Sequence, residues 1–212
     1  MWRADLEAVG DQLDGLLCAA ELERAGRMLR ERDRQLWVRS RGVLRALLGR
    51  YLQADPAALR FAAGAHGKPA LLEDEQAPTL ATQLTAPGSR LSFNLSHSGQ
   101  LALYAFSGSG EVGVDVEVSR RSLDEVALAE RVFEAAEAER LEGLDPAIRQ
   151  QEFRRLWTRH EAVLKLRGTG IGAQPRNVGL EPWIAELEIG SQAAGAVAID
   201  EPPRELCCWD WT

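Results

Sequence analysis

The chain has 212 residues and a net charge of −7, and 45% of its residues are hydrophobic against 27% that are charged. This balance is typical of a globular protein with a full hydrophobic core, built as one large domain or as two units of roughly 100 residues. No apolar run approaches the ~20 residues that span a bilayer and the first residues lack a signal-peptide core, so we expect a cytoplasmic protein without membrane contact. Three cysteines without metal-type spacing argue against a disulfide scaffold and a structural zinc site.

Helical and strand patterns are interleaved along the first half of the chain. Apolar spacing predicts a helix over residues 31–52, and a stretch rich in glycine and proline follows through about residue 90. Two strands are predicted next, at residues 91–96 and 101–106. Residues 97–99, His-Ser-Gly, are predicted to form the turn between these strands.

The second half continues the alternation. Residues 112–118 have the clearest strand pattern, and residues 122–125 resemble a capping box that opens a helix. Asp145 and Pro146 predict the start of a longer helix, which ends at Gly168. Short strand-like segments follow at 183–189, 196–199 and 206–211. Because the connections between strands are short, the sequence predicts an α+β fold with largely antiparallel sheets.

Positive charge is concentrated near the N-terminus and is supplied almost wholly by arginine. Residues 24–50 contain nine arginines against Glu31 and Asp33, in a chain that is acidic overall. This predicts a localised anion-binding face, although a solvated helix face would show the same pattern. No basic stripe is interleaved with aromatic residues, which argues against nucleic-acid binding. Of the 25 basic residues only Lys68 and Lys165 are lysines, which indicates positions where a compact ammonium is preferred to a guanidinium.

The strand at residues 112–118 carries the first candidate site. Its valines share one face, so Gly113, Asp115 and Glu117 share the other. The Cα atoms of Asp115 and Glu117 would lie ~6.6 Å apart, and both side chains can converge on one cation. Oxygen-only ligands suit Mg²⁺ or Mn²⁺ together with substrate phosphates. A solvated acidic strand face is the alternative interpretation.

The second long helix carries another candidate. Trp157, Glu161 and Lys165 follow at steps of four and lie on one helix face. The pair Glu161 and Lys165 also has the spacing of an ordinary surface ion pair. The Gly-Thr-Gly sequence at 168–170 places flexible backbone beside a cation, as in phosphate-binding loops, although it falls short of a P-loop. His97, in the predicted turn, is a further candidate for ligand contact, and no hydrolase triad pattern accompanies it.

Four segments in one order and spacing resemble a known enzyme family. They are GKP at 67–69, FNLSHSG at 93–99, GVDVE at 113–117 and WTRHEAVLKLRGTGI at 157–171. Together they resemble the 4′-phosphopantetheinyl transferases of the surfactin-synthetase-activating type, over about residues 35–175. The resemblance implies a pseudo-dimer of two similar α+β halves, here residues 1–108 and 109–212, with coenzyme A (CoA) bound where the halves meet. One chain then completes the site, so we expect a monomer.

Enzymes of this family move the phosphopantetheine arm of CoA to a serine of an acyl or peptidyl carrier protein and release adenosine 3′,5′-bisphosphate. The resemblance implies that Asp115, Glu117 and Glu161 bind Mg²⁺, with Mn²⁺ as the other option. It also implies that Lys165 holds the pyrophosphate of CoA. The other implied CoA contacts are Ser96 and His97 at the phosphates, Lys68 and Pro69 beside the adenine and pantetheine, and Arg41 and Arg45 at the 3′-phosphate.

The acceptor for the serine proton is left open between two neighbouring residues. The family pattern points to Glu161, directly or through a metal-bound water. The residue before it is commonly lysine, and here it is His160, which would act as base or phosphate partner, or else face away. Two other functions stay open: a metal-dependent hydrolase of pyrophosphate or phosphodiester bonds, and a non-catalytic protein that binds CoA or a carrier. Dependence of CoA consumption on a carrier protein separates the transferase from the hydrolase, and turnover by the purified protein excludes the non-catalytic alternative.

Overall fold

A computed structural model describes residues 1–63, 69–72, 91–119, 124–168 and 181–212. In chain order its elements are β1 (Trp2–Asp5), α1 (Ala19–Gly26), α2 (Glu31–Leu52), β2 (Phe61–Ala63), β3 (Pro69–Leu71), β4 (Ser92–Ser98), β5 (Leu101–Ser107), β6 (Val112–Val118), α3 (Glu125–Val132), α4 (Ala135–Glu142), α5 (Pro146–Arg167), β7 (Trp183–Leu187), β8 (Ala193–Ile199) and β9 (Trp209–Asp210). Two short 3₁₀ helices, Asp11–Leu16 and Pro56–Ala58, flank the first two α-helices.

The described strands form two main sheets and one small pair. The first sheet has the order β4-β5-β1-β9 and the second has the order β6-β8-β7, while β2 pairs only with β3. Among these strands every pairing is antiparallel except that of β1 with β9, which is parallel. The expectation of an α+β fold with largely antiparallel sheets is therefore confirmed.

The two main sheets pack against each other, and a long helix covers each outer face. Helix α2 buries Leu44, Leu47 and Leu48 on the first sheet, where Tyr104 donates a hydrogen bond to the Ser40 carbonyl. Between the sheets, the valines of β6 pack on Leu103 and its neighbours. Helix α5 covers the second sheet through Ala162 and Leu166, which pack on the small residues Ala196 and Ala198 of β8.

The elements with strong periodic patterns have the predicted bounds. Helix α2 and strand β6 span the predicted residues, and α5 has Asp145 as its N-cap and Gly168 in a left-handed conformation just beyond its end. The predicted and observed bounds agree because the caps and the apolar periodicity of each segment coincide with the face that the element buries.

Two predicted boundaries are wrong, and one strand was missed. Strand β4 continues through His97 and Ser98, because Ser98 pairs with Leu101 and its Oγ bonds β6; the turn is Gly99–Gln100. Helix α3 is capped by Asp124, which accepts from the Ala127 amide, whereas Ser122 lies outside the described residues. The sequence also missed β1, a four-residue strand whose partners β5 and β9 are distant in the chain.

No helix in the described ranges is long and apolar enough to cross a membrane.

Candidate active site

A cavity of about 800 Å³ opens where α1, α2, β4 and the end of α5 come together. This volume lies within the range of small-molecule binding sites. One group of lining residues is polar and includes Ser96, His97, Lys165 and Gly168. A second group combines cationic and aromatic side chains: Arg24, Arg41, Arg60, Trp37 and Phe61. The cavity is therefore suited to a ligand with several anionic groups and a planar ring.

Strands β4 and β6, the edges of the two main sheets, meet beside this cavity through side chains. Asn94 Oδ1 accepts a hydrogen bond of 2.9 Å from the Val114 amide, and Ser98 Oγ accepts one of 3.2 Å from the Val118 amide. The alternate residues of β4 thus satisfy the open backbone of β6. This side-chain junction fixes β6 beside the cavity.

Asp115, at the middle of β6, is buried, and its carboxylate pairs with the ammonium group of Lys165. Lys165 Nζ donates to its Oδ1 at 2.7 Å and to Ser96 Oγ at 2.8 Å, and Ser96 Oγ donates to the same Asp115 oxygen at 2.8 Å. Oδ2 of Asp115 is buried with no hydrogen-bond partner among the described residues. Burial raises the pKa of Asp115, and Lys165 and Ser96 oppose that rise. The second oxygen is thus positioned for a ligand.

Two further carboxylates lie near Asp115. Glu161 is buried on α5, and its Oε1 has no hydrogen-bond partner among the described residues. Burial raises the pKa of Glu161, and the charges of Asp115 and Glu117 add to the rise while Lys165 opposes it. Glu117 Oε2 accepts a hydrogen bond of 2.8 Å from Ser98 Oγ. The structure therefore brings the two predicted strand carboxylates and the helix carboxylate into one electrostatic group.

Gly113 allows α5 to approach β6 closely enough for this grouping. A Cβ built on Gly113 would lie 2.0 Å from the Ala162 carbonyl oxygen and 2.4 Å from the Leu166 amide nitrogen. Real Cβ atoms essentially never approach backbone atoms so closely. Glycine at this position is therefore a packing requirement that places Glu161 and Lys165 against Asp115.

The donor set fits a hard divalent cation that is shared with a ligand. In the described ranges, no group of three or more His, Cys, Asp or Glu side chains is assembled as a complete metal site. Asp115 Oδ2 and Glu161 Oε1 are nevertheless two buried oxygens without hydrogen-bond partners in that part of the chain. Mg²⁺ is commonly held by one or two carboxylates, with waters and substrate phosphates completing its octahedron. These residues match that mode of binding.

Arg41 and Arg45 share one carboxylate but differ in their access to the cavity. Arg41 donates from Nε at 3.0 Å and from Nη2 at 2.8 Å to Glu21 Oε1, and it lines the cavity. Arg45 is fully buried and donates to Glu21 Oε2 and to the carbonyls of Pro56 and Leu59. The expectation of a direct phosphate contact is therefore corrected for Arg45, since its guanidinium is enclosed by protein.

Other arginines of the 24–50 stretch are bound to acidic residues of this chain. Arg27 pairs with Glu23, Arg32 with Glu7, Arg34 with Glu31 and Arg39 with Asp11. The number of arginines in this stretch therefore overstates the positive electrostatic potential on this face. Acidic residues within the stretch and elsewhere in the chain compensate much of the arginine charge.

His160 lies among aromatic side chains instead of in the cavity lining. Its ring centroid is 6.1 Å from that of Phe133 and 6.5 Å from that of Trp157. Burial lowers the pKa of His160, which favours the neutral imidazole. Of the three options for His160, this position favours the one in which its ring faces away from the cavity, toward α3, and Trp157 also belongs to this aromatic cluster.

The cavity lining shows where the remaining predicted contact residues lie. It also includes residues that the sequence analysis missed. Pro69 lines it, and Lys68 lies outside the described residues. His97 is exposed and also lines it. The sequence analysis missed Arg60 and Phe61, because they lie in a short segment without a periodic pattern. The signal that could have found them is an arginine followed by an aromatic residue shortly after Asp55-Pro56.

Comparison with known proteins connects this site to a family. The family model described as 4′-phosphopantetheinyl transferase superfamily matches residues 111–210, and the model described as 4′-phosphopantetheinyl transferase, N-terminal, matches residues 2–108. The 4′-phosphopantetheinyl transferase HetI of Nostoc sp. is 38% identical over 174 residues, which are 81% of this chain and 69% of the relative.

Two more relatives carry related names. The putative 4′-phosphopantetheinyl transferase slr0495 of Synechocystis sp. is 36% identical over 74% of this chain and 58% of its own length. The 4′-phosphopantetheinyl transferase ffp of Bacillus subtilis is 26% identical over 94% of this chain and 77% of its own length. With both halves matched by family models and a relative of this identity and coverage, the chain belongs to the 4′-phosphopantetheinyl transferase superfamily.

Proposed function

We propose that this chain transfers the 4′-phosphopantetheine arm of CoA to a serine of an acyl or peptidyl carrier protein, with Mg²⁺, and releases adenosine 3′,5′-bisphosphate. One observation carries the proposal. Lys165, Ser96 and the buried carboxylates Asp115 and Glu161 form one group beside a cavity with arginine and aromatic lining. The proposal places the halves at residues 1–108 and 109–212 of one cytoplasmic, monomeric chain.

The lining of the cavity matches the chemistry of CoA group by group. Lys165, with Ser96 and His97 beside it, would bind the pyrophosphate. Arg41 would then meet the 3′-phosphate, since the aromatic group around it suits the adenine ring. Pro69 would border the ligand on the side of β3.

In the reaction the serine oxygen forms a bond to the phosphorus that carries pantetheine. The bond from that phosphorus to the bridging oxygen breaks, and the bridging oxygen leaves with the adenosine bisphosphate. We propose the carboxylate of Glu161 as acceptor of the hydroxyl proton, because α5 places it in one electrostatic group with Asp115 and Lys165 and burial raises its pKa. Lys165 stays beside the phosphates and compensates their charge.

A bound Mg²⁺ would polarise the attacked phosphorus and neutralise charge on the leaving phosphate. Asp115, Glu117 and Glu161 are the residues that would hold it. Asp115 Oδ2 and Glu161 Oε1 are the oxygens that support this assignment.

The test is the intact mass of an apo carrier protein after incubation with purified enzyme, CoA and Mg²⁺. The expected result is the gain of one phosphopantetheine arm, which is abolished by a chelator. CoA cleavage without change in the carrier mass would instead support a hydrolase. Tight CoA binding with neither reaction, across acyl and peptidyl carriers, would support a binding protein.

A further inference from the structure

The buried Glu21 and its two arginines form a unit that the reaction chemistry does not use directly. Glu21 lies on α1, whereas Arg41 and Arg45 lie one turn apart on α2. Oε1 accepts both bonds from Arg41, and Oε2 accepts from Arg45 Nε at 2.7 Å and from the Cys18 amide at 3.1 Å. Both carboxylate oxygens are therefore fully engaged, and one negative charge faces two guanidinium charges, which leaves the unit with a net positive charge.

The two arginines of this unit have different surroundings. The side chain of Arg45 is 1% exposed and that of Arg41 is 12% exposed. Arg45 Nη1 donates to the carbonyls of Pro56 and Leu59, which fixes the chain segment leading to Arg60 and Phe61. The Arg41 guanidinium lies over the Phe61 ring, 5.0 Å from its centroid. The unit therefore joins α1, α2 and the cavity wall.

We infer that Glu21 is a positioning residue that fixes Arg41 for the second anionic group of the ligand, the 3′-phosphate of CoA. The inference rests on the proposed function for the identity of that ligand. Glu21 holds the Nε–Nη2 edge of Arg41, two of its five N–H donors, and the same arginine lines the cavity. Because Arg45 offsets the charge of Glu21, Arg41 keeps a net positive charge for the ligand.

The experiment compares CoA with dephospho-CoA, which lacks the 3′-phosphate, by calorimetric titration of the wild type and the Glu21→Gln variant. The wild type binds CoA more tightly than dephospho-CoA. In Glu21→Gln the Kd for CoA rises about tenfold, while the Kd for dephospho-CoA stays within about twofold. In carrier modification the same variant raises KM for CoA and leaves kcat at saturating CoA nearly unchanged.

Glu23→Gln is the matched control, because Glu23 lies on the same helix and its ion-pair partner among the described residues is the exposed Arg27. It leaves both dissociation constants unchanged. Glu21→Asp keeps the charge and shortens the reach; it shows the same selective loss at smaller size, and it carries the test if Glu21→Gln does not fold. In an Arg41→Ala background, Glu21→Gln adds nothing to the loss of discrimination.

Equal loss of affinity for both nucleotides, an additive effect in the Arg41→Ala background, or unchanged discrimination would overturn the inference. Wild-type protein that binds neither nucleotide would overturn it as well. Failure of the proposed transferase is a separate outcome: the wild type would discriminate the 3′-phosphate in calorimetry yet modify no carrier.

Discussion

Lys165 Nζ and Asp115 Oδ1 lie 2.7 Å apart across the contact between α5 and β6, and Ser96 Oγ bonds both atoms. The ammonium is therefore enclosed between oxygens of two strands, and it faces the cavity at the same time. A compact cation fits this position better than a planar fork, which agrees with the retention of lysine in a chain that otherwise uses arginine.

Lys165→Arg is accordingly expected to lower carrier modification by about 100-fold despite its retained charge. The longer planar group cannot occupy the space between Ser96 and Asp115 without displacing one of them. The measurement is kcat/KM for CoA in the carrier mass assay. Arg159→Lys on the exposed face of the same helix is the control and retains full activity.

Asp115→Asn is expected to reduce kcat by at least about 100-fold, a size typical for the loss of one electrostatic group in an active site. The amide keeps the shape of the side chain, so the thermal unfolding temperature should stay within a few degrees of the wild type. Asp200→Asn, at an exposed position, should leave the rate unchanged. Full activity of Asp115→Asn would exclude Asp115 as a carboxylate of the reaction.

Gly113→Ala is expected to lower the free energy of unfolding by about 3 kcal/mol, the upper part of the range for overpacking. The added methyl group would meet the backbone of α5 at Ala162. Urea unfolding measures the loss, and transfer activity falls with it because α5 carries Glu161 and Lys165. Gly26→Ala is the control: apart from its chain neighbours and its own helix backbone, no atom of the described residues lies within 4 Å of the added Cβ, so the variant's stability is unchanged or slightly higher.

The stability that Glu21 contributes is expected to depend on pH in a defined direction. Burial would raise the pKa of Glu21, but the Cys18 amide and the two arginines outweigh it and hold the pKa below the ordinary value of 4.5. The folded state therefore binds its proton more weakly than the unfolded state does. The contribution is complete above pH 4.5 and is lost as the pH falls through the lower folded pKa.

For Glu21→Gln this predicts a loss in the free energy of unfolding of about 3 kcal/mol at pH 7, which shrinks below pH ~4.5. Urea unfolding of both proteins at several pH values measures it. The Glu23→Gln variant should show no such trend. A loss that is constant down to pH 3 would contradict the prediction.

His160→Gln is expected to keep kcat within about threefold of the wild type, or ~0.6 kcal/mol in activation free energy. The reason is that the imidazole contacts Phe133 and Trp157 and not the cavity. The pH profile of kcat between pH 6 and 8 should also stay unchanged. Loss of the acidic limb of that profile in the variant would restore His160 as a proton acceptor.

Sequence reasoning predicted the elements whose local signals agree with their tertiary role. Helix α2, strand β6 and helix α5 each have a cap, a period or a proline where the buried face requires one. The carboxylates of β6 could be placed on one face from strand alternation alone. The role of Gly113 could not, because its reason is the backbone of a helix 49 residues later in the chain.

The arginines show a distinction that sequence reasoning could not predict. Arg41 and Arg45 are one helical turn apart and look equivalent in the sequence. Glu21, 20 and 24 residues away, separates their roles by accepting from both while only Arg41 lines the cavity. Strand β1 was missed for a similar reason, since its partners are far away in the chain.

The side-chain junction between β4 and β6 has a consequence for solubility. A sheet edge with open amides is a template for pairing with another molecule, and β4 and β6 are both edge strands of seven residues. Asn94, Ser96 and Ser98 of β4 bond to β6, and Asn94 and Ser98 accept from two of its amides, without joining the sheets into one continuous ladder. Substitution of Asn94 and Ser98 would therefore leave amides of β6 without partners, and we expect such variants to self-associate more readily than the wild type.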